Sequence, residues 1–207
     1  NVIEWILFFF SEFAKYPFTK FHKKAIKRIT TNMEWYEVLS WSRELAKSTI
    51  VFMCMMYLVL TGKKRNVLLI SNSHENAVRL LEPYKKAFES NSMLKAYYGD
   101  LREFGSWTAD EFTLTTGATF RAIGALESPR GTRKDAVRPD TALVDDFDTD
   151  ADCRNPDILK KKWEWFEEAL FPTRSISEDL LVIFCGNLIA LDCCVKRAGD
   201  KLSLIHI

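Results

Sequence analysis

The chain holds 207 residues, 47% of them hydrophobic, which suits one α/β domain with a well-buried core. Its formal net charge is only +1, so the whole molecule does not advertise a polyanionic partner, and any nucleic-acid contact has to come from a local patch. The five cysteines, Cys54, Cys153, Cys185, Cys193 and Cys194, are odd in number, lie largely in apolar runs and show no C-x-x-C spacing, which argues against a disulfide framework or a zinc site and for reduced core thiols.

Residues 3–30 carry a helical pattern broken at Pro17. The apolar run over residues 3–10 is interrupted by Glu4 and falls short of the roughly 20 residues that cross a bilayer. No basic segment precedes it, as a signal peptide would require. It reads as an amphipathic helix whose aromatic face docks on a core or on a partner domain. Lys20, Lys23, Lys24, Lys27 and Arg28 follow at one-face spacing, as on a solvated helix face. Trp35–Leu39 is short, aromatic and β-branched, as a buried strand should be. It runs into a loop over residues 40–46 and then an almost wholly apolar helix, Lys47–Leu60. Asn66–Ser71 reads as a second buried strand, and residues 73–90 as a helix opened by Ser/Asn capping. Residues 111–123 form two short strands around Gly117, followed by a charged loop over 127–139. Residues 142–144 give another central strand, 156–170 an amphipathic helix bearing Trp163, Trp165 and Phe166, and 180–185 a strand ending in Gly186-Asn187. The βα rhythm without an internal repeat predicts a single doubly wound sheet.

The chemistry concentrates at two places. Ser40-Trp41-Ser42-Arg43-Glu44-Leu45-Ala46-Lys47-Ser48-Thr49 ends as the Walker A loop G-x-x-x-x-G-K-[ST] does, with Trp41 and Ala46 where the glycines would stand. Strand, loop, helix is the context such a loop needs, because backbone N–H groups and the helix dipole hold polyphosphate there. In this reading Ser42, Arg43, Glu44, Leu45, Ala46, Lys47, Ser48 and Thr49 bind nucleotide. Lys47 reaches the β- and γ-phosphates, Ser48 offers its hydroxyl to Mg²⁺, and Arg43 either grips phosphate oxygens or pairs with Glu44 or another acid. About a hundred residues on, Thr141-Ala142-Leu143-Val144-Asp145-Asp146 is an apolar run ending in two carboxylates, the form of a Walker B strand. Asp145 would hold Mg²⁺ and Asp146 would position and polarise the attacking water, which makes Asp146, Lys47 and Arg43 the catalytic candidates. Asp is one methylene shorter than the Glu common in that second place. Asp146, Asp148, Asp150 and Asp152 also alternate like calcium-loop acids, but without the glycine and the bidentate glutamate of an EF-hand. Lys160, Lys161 and Lys162 read as another solvated face. Asn187, at a strand end, is placed to sense a γ-phosphate.

The order of these features resembles the ATPase domain of the large terminase subunit, the DNA-packaging motor of tailed bacteriophages. Phe18-Thr19-Lys20-Phe21-His22 leads. A glycine-poor loop with Arg43 ends in Lys47-Ser48-Thr49, and Arg130-Gly131 follows. Arg138-Pro139-Asp140 then precedes Asp145-Asp146, and a hydrophobic strand closes in Gly186-Asn187. The resemblance implies a RecA-like P-loop NTPase fold, with a mostly parallel central sheet and helices on both faces. It implies hydrolysis of ATP with Mg²⁺, coupled to packaging double-stranded DNA into procapsids. The implied partners are DNA, the portal, the small terminase subunit and further copies of the chain in a ring, in the host bacterial cytoplasm and away from any membrane. Asn187 would fall in the coupling motif, and Arg130 and Arg133 are the candidates to complete a neighbour's site in trans, the alternative for either being a salt-bridged loop. The implied organisation is a lead segment over 1–30, an ATPase core over 31–195 and a tail over 196–207 that reads as truncation-derived. The family usually adds a C-terminal nuclease domain; the chain ends soon after Asp192, so no nuclease activity is expected of it. The residues also leave open a helicase-like P-loop ATPase, against which Trp41, Ala46 and Asp146 count, and an inactive P-loop scaffold, which the missing glycines keep alive.

Overall fold

A computed structural model describes residues 1–14, 16–129, 138–173 and 179–205, with side chains as far as Lys201 in the last stretch. Two helices open the chain, α1 (Val2–Phe9) and α2 (Lys20–Thr31), with Pro17 between them. A capping box starts α2, in which the Thr19 hydroxyl accepts from His22 N and His22 Nδ1 accepts from Thr19 N. Then come β1 (Trp35–Leu39), α3 (Lys47–Leu60), β2 (Asn66–Ser71) and α4 (His74–Ser90), with the bounds that the sequence pattern predicts to within a residue. The helix α5 (Ser92–Tyr98) and the strand β3 (Arg102–Trp107) have no counterpart in the sequence-based expectations. The hairpin β4 (Glu111–Leu114) to β5 (Thr119–Gly124) turns through Gly117 at φ +81°, a left-handed conformation that glycine adopts without penalty. The chain closes with β6 (Thr141–Asp145), α6 (Asp150–Cys153), α7 (Pro156–Glu164), β7 (Leu181–Cys185) and α8 (Cys194–Ile205).

The single helix expected over 156–170 divides. Regular α-helix stops at Glu164 and a π-turn covers Trp165–Leu170. Phe166 and Leu170 are buried there, while Trp165 Nε1 donates to the Glu127 carbonyl at 2.7 Å, so the wider turn serves both a core contact and a polar one.

One seven-stranded sheet runs in the order β1-β7-β6-β2-β5-β4-β3, parallel through the first five strands and antiparallel at β4 and β3. Period-two alternation divides the central strands between two cores. Val67, Leu69, Leu143 and Ile183 face the side covered by α1, α2, α3 and α4, whereas Leu68, Ile70, Val144 and Phe184 face α7, the π-turn and α8. Helices therefore cover both faces of a mostly parallel sheet, the α/β architecture that the resemblance implies. At the outer edge β3 is exposed along most of its length, with an irregular register against β4, Gly105 at φ +84° and Phe104 fully exposed.

Two details fix the approach of the elements around the site. Gly124 ends β5 against the start of α4, where an added Cβ would lie 2.4 Å from His74 N. On β1 the buried Glu37 takes Arg28 of α2 in a bidentate ion pair and also accepts from Trp35 Nε1 at 2.7 Å. That pair holds α2 to the strand that feeds the loop over residues 40–46.

Candidate nucleotide site

The loop between β1 and α3 and the loop after β6 meet beyond the C-terminal ends of the strands, where β7 lies between β1 and β6. Glu44 and Ala46 take left-handed conformations at φ +68° and +57°. Ala46 thus holds the conformation for which a glycine is usually selected at this position. Lys47 Nζ is turned into its own loop, donating to Trp41 O at 2.5 Å, to Ser42 O at 3.3 Å and to Asn187 Oδ1 at 3.0 Å. Ser48 Oγ donates to Asp145 Oδ2 at 2.7 Å, joining residues 97 positions apart. Arg43, Glu44, Ala46, Lys47, Ser48, Thr49, Asp145, Asp146 and Asn187 line one open cavity of about 440 Å³. Ser42 meets Lys47 through its carbonyl, and Leu45 turns its carbonyl toward His22. Arg43 forms no ion pair with Glu44 among the described residues and also lines a neighbouring 290 Å³ cavity with Asp146 and Asn187.

The two acids differ sharply. Asp145 is buried, and burial pushes its carboxyl up to about 6; the Ser48 hydrogen bond opposes that shift and the adjacent Asp146 charge adds to it. Asp146 is exposed, with φ +45°, an unusual conformation for a residue with a Cβ. Ser48 Oγ and Asp145 Oδ2 are adjacent hard oxygen donors, a set that fits a magnesium ion, which takes few protein ligands and fills its octahedron with water and phosphate oxygens.

The calcium-loop reading of the acids after β6 does not hold. Asp148 Oδ2 accepts from Cys194 N at the start of α8, and Asp152 caps α6 through Thr149 and pairs with Lys162, so the carboxylates point to separate tasks. No group of three or more metal-ligating side chains occurs among the described residues. The solvated face expected at Lys160, Lys161 and Lys162 is also wrong at Lys162. Its side chain is buried, with Nζ donating to Phe147 O at 2.7 Å and to Asp152 Oδ2 at 2.6 Å, and it lies over the Phe147 ring. Phe147 itself packs against Trp165, Phe166 and Phe184, so the residue next to Asp146 is fixed on every side.

Lys162 escapes sequence reasoning because its partners come from other elements. His22 was visible only as part of a lead segment. In the fold its Nε2 lies 3.2 Å from Leu45 O, and Phe21 meets Trp41 edge-on at 4.9 Å between ring centroids. The Trp41 side chain thus packs against α2 while its carbonyl holds Lys47. Asp140 of the Arg-Pro-Asp run is structural, accepting from Arg65 N at 2.6 Å and Asn66 N at 3.1 Å at the end of the strands away from the cavity. Arg130 and Arg133 lie outside the described residues. The five cysteines are free, four of them buried, and no described helix is long and apolar enough to cross a membrane.

No protein-family model and no curated protein sequence matches the chain. Solved structures do. An arginine-to-alanine mutant of the large terminase ATPase domain of Thermus phage P74-26 superposes with a TM-score of 0.58 at 16% identity, over 88% of this chain and 70% of that one. Another structure of that ATPase domain gives a TM-score of 0.52 at 17% identity, over 84% and 67% of the two chains. At such identities the likeness is one of fold, and this chain has the fold of a phage large-terminase ATPase domain.

Proposed function

We propose that the chain is the ATPase motor domain of a large terminase subunit, hydrolysing ATP to drive double-stranded DNA into a procapsid. One observation carries the reading: the Ser48–Asp145 hydrogen bond closes the phosphate loop against the acid pair, with Lys47 and Asn187 in contact beside it. An arriving triphosphate draws the Lys47 ammonium away from Trp41 O and Ser42 O to the β- and γ-phosphates, and the loop N–H groups take the remaining oxygens. Ser48 and Asp145 would hold a magnesium ion, which would supply neutralisation of the phosphate charge. Asp146 orients the attacking water and accepts its proton, and Arg43 stabilises the charge that develops on the γ-phosphate. Asn187, deprived of Lys47, passes the change to the loop between β7 and α8. The partners of this reading are duplex DNA, the portal, the small terminase subunit and a ring of identical chains in the host bacterial cytoplasm, with Arg130 or Arg133 acting in trans.

The test is titration calorimetry with a non-hydrolysable ATP analogue and Mg²⁺, run beside ATP turnover, on the wild-type chain and Lys47→Ala. Binding and turnover that vanish in a folded Lys47→Ala variant are the expected result. A folded wild-type chain that binds no nucleotide would overturn the motor and leave an inactive scaffold.

A further inference from the structure

We infer that the exposed lysines of α2 form a contact for the phosphate backbone of duplex DNA that reports directly to the phosphate loop. The inference rests on the ATPase reading for its second half only.

Lys20, Lys23, Lys24 and Lys27 are all exposed. At 3.6 residues per turn they fall within about 100° of the helix circumference and along about 10 Å of its length. The opposite side buries Ala25, Ile26, Ile29 and Thr30. The helix has no acidic residue, and its one arginine, Arg28, is taken by Glu37. None of the four lysines has a carboxylate partner among the described residues, although surface lysines elsewhere do, as Lys160 with Glu164 and Lys196 with Asp200. Four unpartnered ammonium groups in one row on a chain of net charge +1 are a local field of one sign. Its complement is a polyanion.

Phe21 beside the stripe is 40% exposed, but its ring packs on His22 and Trp41, and the buried side of the helix is spent on the core, so the stripe itself offers ammonium groups and neither a stacking platform nor an apolar wedge. Phosphates of a duplex, met without reading sequence, are the partner that remains.

What lifts the stripe above an ordinary solvated face is the other side of the same twelve-residue helix. His22 meets the Leu45 carbonyl, and Phe21 packs on Trp41, whose carbonyl in turn holds Lys47. A load on the lysines therefore reaches the loop over residues 40–46 directly, at Leu45 and at Trp41, with no other element between. Glu37 on Arg28 keeps the helix from sliding free of β1 as it transmits that load.

The experiment compares wild type with a variant carrying Lys20→Gln, Lys23→Gln, Lys24→Gln and Lys27→Gln. Binding of a fluorescent DNA duplex is followed by anisotropy over a range of salt, and ATP turnover is measured with and without duplex. The expected result is a slope of log K against log salt that is smaller by about 3–4 in the variant, as loss of four phosphate contacts requires. Stimulation of turnover by duplex falls with it, while turnover without DNA and the melting temperature stay at wild-type values. The corresponding Lys→Arg variant keeps the wild-type slope. An unchanged slope in the Gln variant overturns the inference, as does a wild-type chain that binds phosphatidylglycerol vesicles but no duplex. If the wild-type chain turns over no ATP, the proposed function fails while the anisotropy still decides the stripe.

Discussion

Ala46 stands in the left-handed conformation that glycine normally supplies to a phosphate loop, so this chain keeps the loop's shape and carries the cost of a Cβ there. Ala46→Gly should relieve that strain. We expect nucleotide affinity to be retained and the chain to gain about 0.5–1 kcal/mol, the relief being partly offset by the greater freedom of glycine in the unfolded state, as thermal unfolding would measure. Ala46→Val should do the reverse. The substitution of both glycines was legible in the sequence as an irregularity. Its effect on the backbone was not, since whether Ala46 keeps φ positive, and whether Trp41 faces the cavity or packs away from it, depends on the surrounding fold, α2 included. That Lys47, Ser48, Asp145 and Asn187 come together in one cavity was legible because phosphate and metal chemistry, if it operates here, constrains residue types at fixed positions along a strand-loop-helix unit. Lys162 was not, because nothing in Lys160-Lys161-Lys162 distinguishes the buried amine from its exposed neighbours.

At the scale of elements, α7 reaches the loop after β6 through Lys162, which holds the carbonyl next to Asp146 while Asp152 balances its charge. Lys162→Met should therefore lower kcat by roughly tenfold or more, because small misplacements of a reacting group are costly, with a smaller change in the affinity for nucleotide. Turnover beside calorimetry separates the two, and parallel losses would reduce Lys162 to a structural role. The same pair sets an acid limb. Burial raises the Asp152 carboxyl, but the Lys162 ammonium and the Thr149 hydrogen bonds outweigh it and hold the group below the usual carboxylate range. A carboxyl depressed in the folded state stabilises the fold above its unfolded value of about 3.9 and loses that contribution as the pH falls through the folded value. Acid unfolding of the wild type should thus include a contribution below about pH 4 that Lys162→Met lacks, read from denaturant midpoints across pH. On the other face, Arg28→Ala leaves the buried Glu37 with Trp35 as its remaining side-chain donor, and should cost about 2–3 kcal/mol in denaturant unfolding. Strands β1, β2, β6 and β7 were readable as apolar runs between turn residues. By contrast, α5 is seven residues long, and β3 faces solvent along most of Arg-Glu-Phe-Gly-Ser-Trp, so neither writes a hydrophobic period into the sequence.

For the molecule as a whole, the strand order puts the β7 end between the loop after β1 and the acid pair, so the candidate site spans the ends of three strands of one sheet. A ligand that binds the native state alone at a hundred times its dissociation constant adds about 2.7 kcal/mol. In a domain of this size that corresponds to a rise of roughly 5–10 °C in Tm. We expect such a rise with an ATP analogue and Mg²⁺, and none in Lys47→Ala, by differential scanning calorimetry. The outermost strand carries a different consequence. Backbone groups at a sheet margin can template another chain, yet β3 breaks its own regularity with Gly105, a shifted register and charged Arg102 and Glu103. A crowded solution of these chains should thus resist growing sheet upon sheet from that margin, which lets the protein be concentrated without turning into a fibre.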